Sequence, residues 1–377
     1  MSGRDVVYFS PIPWRGLYQR PQHTARALTA SRRVLFVEPR TLHAPAPPPD
    51  EERLAFLTLS VLPVNARRPF VRALARVGGR IALVRDGLAR RHVTLLRRRI
   101  AALGLNAPVL LFGHPELASL REGFPGLPVI YDHMDDILEF GHGGGKLRRR
   151  LRGLVAAADV LSASASGLRA QLVEMGGRDP LLVGNGVELE HFARREPPPP
   201  CPPALAALSS PRALYVGSVA EWFDVELLHA VARARPSVSF AVVGPVRPAL
   251  ERAVAEAPAN CRYLGAQPYA ELPGWLHHAD VALIPFRRTR LTAGVDPVKL
   301  YEYLAAELPV VATSFSPELQ AAAAEGALRL ANDPAAFAAA LDASLATPPD
   351  GARLRALAER RRWTTVLAPL LAAIDAL

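Results

Sequence analysis

Lys299 and Glu302 stand three residues apart in the stretch TAGVDPVKLYEYLAAELPVVATSF (292–315), a spacing that suits charge-handling chemistry. Asp296 and Pro297 read as the cap and the first residue of a helix. The N–H groups opening that helix, from Val298 on, and the positive end of its dipole would favour an anion such as a diphosphate. Lys299 then falls in the first turn and Glu302 one turn further, on a neighbouring face. A lysine there offsets phosphate charge, while a carboxylate beyond it accepts two hydrogen bonds from the cis-diol of a ribose. A sugar nucleotide needs both, although an exposed Lys–Glu pair on a surface helix has the same spacing. Other candidates stand at strand ends. His114 follows an apolar run in LLFGHPE, where a histidine serves either packing or a ligand. Arg15, Gly16, Arg20 and His23 share the segment PWRGLYQRPQH (13–23), in which glycine permits close backbone approach and arginine can fork to phosphate. Asp132, Asp135 and Asp136 in YDHMDDI (131–137) lack the aspartate-x-aspartate spacing of a metal motif.

The elements that must position these residues alternate along the chain. Short apolar runs at 6–10, 34–39, 57–64, 108–113, 128–132, 160–165 and 180–186 are separated by helix-like segments. The rhythm breaks at RREPPPPCPPALAALSSP (194–211), where four consecutive prolines exclude a helix interior or a central strand. It resumes at 213–218, 240–245, 262–266, 281–286, 309–314 and 327–332. Continuous apolar strands alternating with helices predict α/β structure: two doubly wound parallel sheets covered on both faces. The expected divisions are a first domain over 1–195, a linker over 196–211, a second domain over 212–350, and a final helix over 351–377 returning to the first domain. Ligands of such sheets lie at the carboxyl ends of the strands, so the site is expected where two such edges face one another. Gly217, Gly244 and Gly265 end second-domain strands and allow tight turns there. No G-x-G-x-x-G follows the first strand, which argues against a dinucleotide enzyme.

The 377 residues are half apolar and 21% charged, enough for two buried cores and unlike a disordered chain. No apolar run approaches the ~18–20 residues of a spanning helix. The opening MSGRD leads straight into a strand, leaving no room for a secretory signal, and Cys201 and Cys261 fit neither a disulfide framework nor a zinc spacing. The expected location is therefore the cytoplasm. Residues 1–195 hold 29 basic and 17 acidic residues, the remainder 16 and 18, so the net charge of +10 belongs to the first half. An anionic partner held there is expected: a membrane surface, a phosphorylated substrate or nucleic acid. The arginine-rich stretches 67–104 and 146–152 read as solvated outer helices or as a surface for anionic lipid at the inner face of a membrane.

The run from Asp280 of HHAD through LIPF to DPVKLYEYLAAELPVV resembles the donor-nucleotide region of GT-B glycosyltransferases, especially glycosyltransferase family 4. NGVELEHF (185–192), YVGSVAEWFD (215–224) and PWRGLYQRPQH resemble other segments of that family, and YDHMDDI is similar to its bacterial cell-surface polysaccharide members of teichuronic-acid type. The resemblance spans nearly the whole chain. It implies a GT-B fold and transfer of a sugar from a nucleotide-sugar donor to a glycan or lipid-linked acceptor hydroxyl in envelope synthesis. No metal or other cofactor is implied, and no nucleic acid.

Carried over by position, Glu302 matches the ribose-binding second glutamate of the family's carboxylate pair. Gly294 stands where the first glutamate, a donor-sugar contact, would be. The usual Arg/Lys pair after the VG strand is replaced by Ser218, Val219, Glu221 and Trp222, leaving Lys299, or Arg287, Arg288 or Arg290, to supply a cation. The resemblance places His114 at the donor sugar, Gly16 and the loop after the first strand at donor phosphate, and Gly217, Ser218, Gly265, Gln267, Arg287, Asp296, Pro297 and Val298 around the nucleotide. His114, Lys299 and Glu302 form the expected catalytic set; Arg15, Arg20, His23 and Asp132 the expected acceptor side. A sugar-nucleotide epimerase on the same fold, a non-catalytic paralogue that binds nucleotide or a partner, and a nucleic-acid binder are the competing readings.

Overall fold

All pairings between the strands of the two sheets are parallel. The computed structural model describes residues 3–15, 17–40, 46–60, 82–139 and 144–377. The first sheet contains β1 (Val6–Phe9), β2 (Val34–Arg40), β3 (Leu54–Ser60), β4 (Val109–Phe112), β5 (Val129–His133), β6 (Val160–Ala163) and β7 (Leu181–Leu182), in the order β3-β2-β1-β4-β5-β6-β7. The second contains β8 (Arg212–Val216), β9 (Ser239–Val243), β10 (Cys261–Tyr263), β11 (Val281–Ile284), β12 (Val310–Ala312) and β13 (Arg329–Leu330), in the order β10-β9-β8-β11-β12-β13. The order in which strands are added reverses between β1 and β4 in one sheet and between β8 and β11 in the other, while the strands themselves stay parallel. In each sheet the switch point opens a crevice at the carboxyl ends of its two strands, lined by whatever follows them.

The continuous apolar runs are buried on both faces, as parallel strands require. Val6, Val7, Leu110 and Leu111 are fully enclosed in the first sheet, and Leu214, Val281 and Val311 in the second. Two compact units result. One comprises Met1–Ser164, Leu168–Val183 and Leu367–Leu377, the other Ala165–Gly167 and Gly184–Val366.

These limits depart from the sequence expectation in two places. The Pro-rich stretch 196–211 does not separate the units, because the chain passes between them at Val183–Gly184. It is fastened to the second unit instead: Leu205 is fully buried in that core, and His278 Nε2 lies 2.8 Å from the Pro199 carbonyl oxygen. Prolines there give a fixed extended shape that follows a surface. The expected return helix over 351–377 is also divided. The helix Gly351–Glu359 packs in the second unit against the helix Val298–Ala305 through buried Leu354 and Ala358, and only Leu367–Leu377 groups with the first. In that last segment Leu370 and Ile374 are buried, and Asp375 pairs with Arg32 at 3.0 Å.

Glycine is obligatory where β8 and β9 end. Gly217 has φ +144° and Gly244 φ +148°. A Cβ on Gly244 would stand 2.0 Å from the Gly217 carbonyl oxygen, so the two turns interlock without room for a side chain. Replacing Gly244 by alanine should cost about 2–4 kcal/mol through strain and overpacking. Gly87→Ala is the control, since a Cβ there meets nothing within 4 Å in the middle of a helix. Thermal denaturation should show a depressed melting temperature for the first variant and an unchanged or raised one for the second.

Candidate functional site

The second unit's switch point gathers a cation, a carboxylate and two aromatic rings. The helix Val298–Ala305 leads away from it. Tyr303 fixes that helix to β8 by accepting from the Val216 N–H at 2.8 Å and donating to the Val216 carbonyl at 3.3 Å. Lys299, in the first turn, extends over rings from both switch-point strands. Its Nζ lies 4.7 Å from the Phe286 ring centre, just past β11, and 5.6 Å from that of Tyr215 in β8. The ring faces attract the ammonium. Gly217 completes the cradle, because a Cβ there would stand 3.0 Å from Lys299 Cε.

Glu302 is 9% exposed. Burial pushes its carboxyl up to about 7, with Lys299 opposing the shift and Glu188 adding to it. Burial likewise pushes the Lys299 ammonium down to about 8, against the pull of Glu302. Both groups therefore titrate near neutrality. A pair in that state can accept a new charge, which an already satisfied ion pair cannot do. The arrangement can hold an anion at Lys299 and accept hydroxyl donors at Glu302.

Glu188 enters through the segment NGVELEHF, directly before the helix Leu189–Phe192, and accepts from the Tyr269 hydroxyl at 3.0 Å. Tyr269 in turn stacks on His191 with ring centres 4.6 Å apart. Sequence reasoning missed Glu188, Tyr269, Tyr215 and Phe286 as parts of this site. Glu188 lies inside a motif that was recognised, so it was within reach; the two rings sit in apolar strand segments and carry no local signal.

The remaining second-unit candidates have mixed fates. Asp296 is not the helix cap: Pro297 holds that position, and the Asp296 carboxylate accepts from the Asn185 N–H at 2.7 Å and the Tyr301 hydroxyl at 2.5 Å. Those bonds occupy it as an internal support. Val298 opens the helix beside Lys299. The Ser218 carbonyl accepts from the Tyr215 hydroxyl at 2.9 Å, which holds the loop after β8 close to the rings. Gly265 follows β10 with φ +71° and accepts from the Gly244 N–H at 2.8 Å; Gln267 Nε2 donates to the Leu264 carbonyl at 3.1 Å. Arg287 is exposed, 4.0 Å from Glu226, and its N–H donates to the Trp222 carbonyl at 2.7 Å. Gly294 ends the short helix Arg290–Ala293.

The first unit has its own switch point, after β1 and β4. His114 follows β4 and caps the turn Pro115–Gly123, its Nδ1 accepting from the Glu116 N–H at 3.1 Å. Burial and, secondarily, Arg150 lower its proton affinity, against the pull of Glu116. The ring is therefore neutral at physiological pH with its proton on Nε2, a donor. In the loop after β1, Gln22 Nε2 reaches the carbonyls of Pro13, Trp14 and Leu17, and the Glu38 carboxylate accepts from the Trp14 N–H at 2.6 Å. Arg15 is exposed on that loop, while Gly16 lies outside the described residues.

Two expected acceptor-side residues serve each other instead. Arg20 Nε and Nη2 each lie 2.9 Å from an Asp132 oxygen, both side chains are buried, and Ser162 Oγ donates to the same carboxylate at 2.8 Å. A guanidinium and a carboxylate this deep need one another, and each offsets the cost of burying the other. His23 is also buried, edge-on to Tyr18 with ring centres 4.6 Å apart. Replacing Asp132 by alanine should destabilise the fold by about 3–5 kcal/mol by stranding the buried Arg20. Urea denaturation checks this; wild-type stability would contradict the internal role.

Against known proteins, residues 210–347 match the family model described as glycosyl transferases group 1. A teichuronic acid biosynthesis glycosyltransferase of Bacillus subtilis, TuaH, is 25% identical over 169 residues, 43% of this chain and 42% of that protein. The alignment thus spans less than half the length of that relative. The crystal structure of HepE from Anabaena with UDP and glucose superposes with TM-score 0.69 and 13% identity over 99% of both chains. An Escherichia coli trehalose-6-phosphate protein bound with UDP-2-fluoro glucose gives 0.70 and 14%, again over 99% of both. The chain has the GT-B fold, and its residues 210–347 match the glycosyl transferases group 1 model.

Proposed function

We propose that the protein transfers a glycosyl group from a nucleoside-diphosphate sugar to the hydroxyl of a glycan acceptor, and that the donor binds the second unit at Lys299 and Glu302. The observation that carries this reading is the half-buried lysine and buried glutamate three residues apart on a helix at the β8/β11 switch point. Lys299 and the helix N-terminus meet the diphosphate, and Glu302 accepts from the ribose hydroxyls. The bond from the anomeric carbon to the diphosphate oxygen breaks, and its electron pair leaves with the diphosphate. A bond to the acceptor oxygen forms, and the hydroxyl proton passes to the departing diphosphate or to water. Lys299 lowers the barrier by neutralising charge as it develops on the leaving group. On the first unit, His114 with its Nε2 proton is a candidate hydrogen-bond donor. No metal is invoked, because Lys299 supplies the cation.

The acceptor belongs to cell-envelope or surface polysaccharide, a reading supported by the similarity to the B. subtilis teichuronic acid biosynthesis protein. The first unit gives that acceptor a basic surround. Arg97 and Arg98 on the helix Ala82–Ala102, and Arg148, Arg149 and Arg152 on the helix Gly145–Ala157, are exposed, and both helices pack on the Pro115–Gly123 turn. Residues 67–81 of the first arginine-rich stretch lie outside the described residues. No helix among the described residues is long and apolar enough to cross a membrane. Peripheral attachment to an anionic inner membrane face suits this distribution, and supports a lipid-linked acceptor.

Thermal denaturation with UDP, GDP, ADP and their sugar conjugates tests the donor site. A nucleotide at about a hundred times its dissociation constant should stabilise the wild type by roughly 2.7 kcal/mol. The shift should vanish in Glu302→Ala. No shift with any nucleotide would overturn the proposal, and a shift that survives in Glu302→Ala would move the site elsewhere. Binding with no transfer across a panel of glycan acceptors would favour the non-catalytic reading instead.

A further inference from the structure

Apart from the short stretch Ala165–Gly167, which groups with the second unit, the chain passes from the first unit to the second at Val183–Gly184 and returns at Val366–Leu367. On the second unit's side of these points the two passages run together. The Val187 N–H donates to the Arg361 carbonyl at 2.8 Å, the Trp363 N–H reaches the Val187 carbonyl at 3.4 Å, and Val187 and Arg362 form a parallel bridge. Gly186 makes the approach possible, since a Cβ there would stand 2.7 Å from the Arg361 carbonyl oxygen.

Asp296 connects this pair of passages to the helix that carries Lys299 and Glu302. Its Oδ2 accepts from the Asn185 N–H at 2.7 Å, and its backbone carbonyl accepts from Asn185 Nδ2 at 2.6 Å. Its Oδ1 accepts from the hydroxyl of Tyr301, on the helix, at 2.5 Å. Arg361 places Nη1 4.0 Å from Oδ2 and its guanidinium 4.9 Å from the Tyr301 ring centre. One carboxylate, 2% exposed, therefore meets the outgoing passage, the returning passage and the helix. A requirement for capping does not explain this, because the side chain caps nothing.

We propose that Asp296 is a positioning residue that couples the Val298–Ala305 helix to the paired chain passages, so that a nucleoside diphosphate held at Lys299 and Glu302 also tightens residues 185–187 and 361–363. The inference rests on the reading of that helix as the donor site. It uses both carboxylate oxygens as acceptors, one for the Asn185 N–H and one for the Tyr301 hydroxyl, where an amide offers a single accepting oxygen. Burial pushes its carboxyl up to about 6; Arg361, Tyr301 and Asn185 work against the rise and Glu318 adds to it. At pH 7.5 it is therefore the charged acceptor that the contacts describe.

Hydrogen–deuterium exchange of the full chain at pH 7.5 tests the coupling, with and without saturating UDP, or GDP or ADP if that is the nucleotide that shifts the wild-type melt. Backbone amides in 185–187 and 361–363 should exchange about threefold or more slowly with nucleotide bound. Asp296→Asn and Tyr301→Phe should still show the nucleotide-dependent melt shift but lose that slowing. Tyr301→Phe keeps the ring under Arg361 and removes one hydroxyl, so it decides the matter if Asp296→Asn does not fold. Wild-type slowing in both variants would overturn the role of Asp296, as would a wild-type melt shift with no slowing in these segments. A wild type with no melt shift overturns the donor-site reading itself, and the coupling falls with it.

Discussion

An ammonium and a carboxylate held largely out of water at the end of β8 and β11 set the terms for the second unit. Removing ions from solvent costs several kcal/mol each unless something replaces the water. Here Lys299 and Glu302 replace it in part for one another, and the faces of Tyr215 and Phe286 add what they can for the lysine. The replacement is incomplete, and both proton affinities move toward neutrality for that reason. On the proposed reading, a ligand that brings negative charge to the lysine and hydroxyl donors to the glutamate supplies what the burial of these two groups leaves unmet. The surrounding architecture follows from this need. Gly217 is bare because the lysine stem lies against it, and Tyr303 ties the helix to β8 so that the two charges cannot drift into water.

The first unit resolves the same topological position differently. Its switch point also gathers charge, but Arg20 and Asp132 close on each other in a bidentate pair with Ser162 as a third partner. A pair satisfied in this way is held in one geometry. What remains open there is the neutral His114 ring and exposed Arg15, a donor and a cation on well-supported loops. One unit thus stores unfinished electrostatics, and the other presents finished geometry with a basic surface.

The fold was largely legible because parallel strands buried on both faces must be written as short apolar runs, and each of the thirteen runs holds all or part of a strand. The helix that carries Lys299 and Glu302 was legible for a related reason: Asp296-Pro297 marks a helix start, and three-residue spacing keeps the two charges on neighbouring faces of its first turns. What sequence could not supply was pairing at long range. Arg20 and Asp132 look like ligand-binding residues until the fold buries them together across 112 positions. Asp296 looks like a cap until Asn185, 111 residues earlier, claims its carboxylate. The Pro-rich stretch reads as a linker by composition, and only the packing of Leu205 and the Pro199 carbonyl shows it bound along one unit. The GT-B resemblance stands, while the specific assignment to family 4 rests on motifs from which Gly294 departs.

Calorimetric titration of the nucleoside diphosphate at pH 8, in two buffers of different ionisation enthalpy, tests the central claim most directly. With its pKa near 8 in the free protein, Lys299 is then about half protonated, and Glu302, near 7, is mostly ionised. A diphosphate laid against the lysine raises its pKa, so binding must draw a proton from the buffer. The account predicts uptake of up to about half a proton per site, lost in Lys299→Arg, whose guanidinium stays charged throughout. Binding with no proton uptake in the wild type, or with the same uptake in Lys299→Arg, would contradict it.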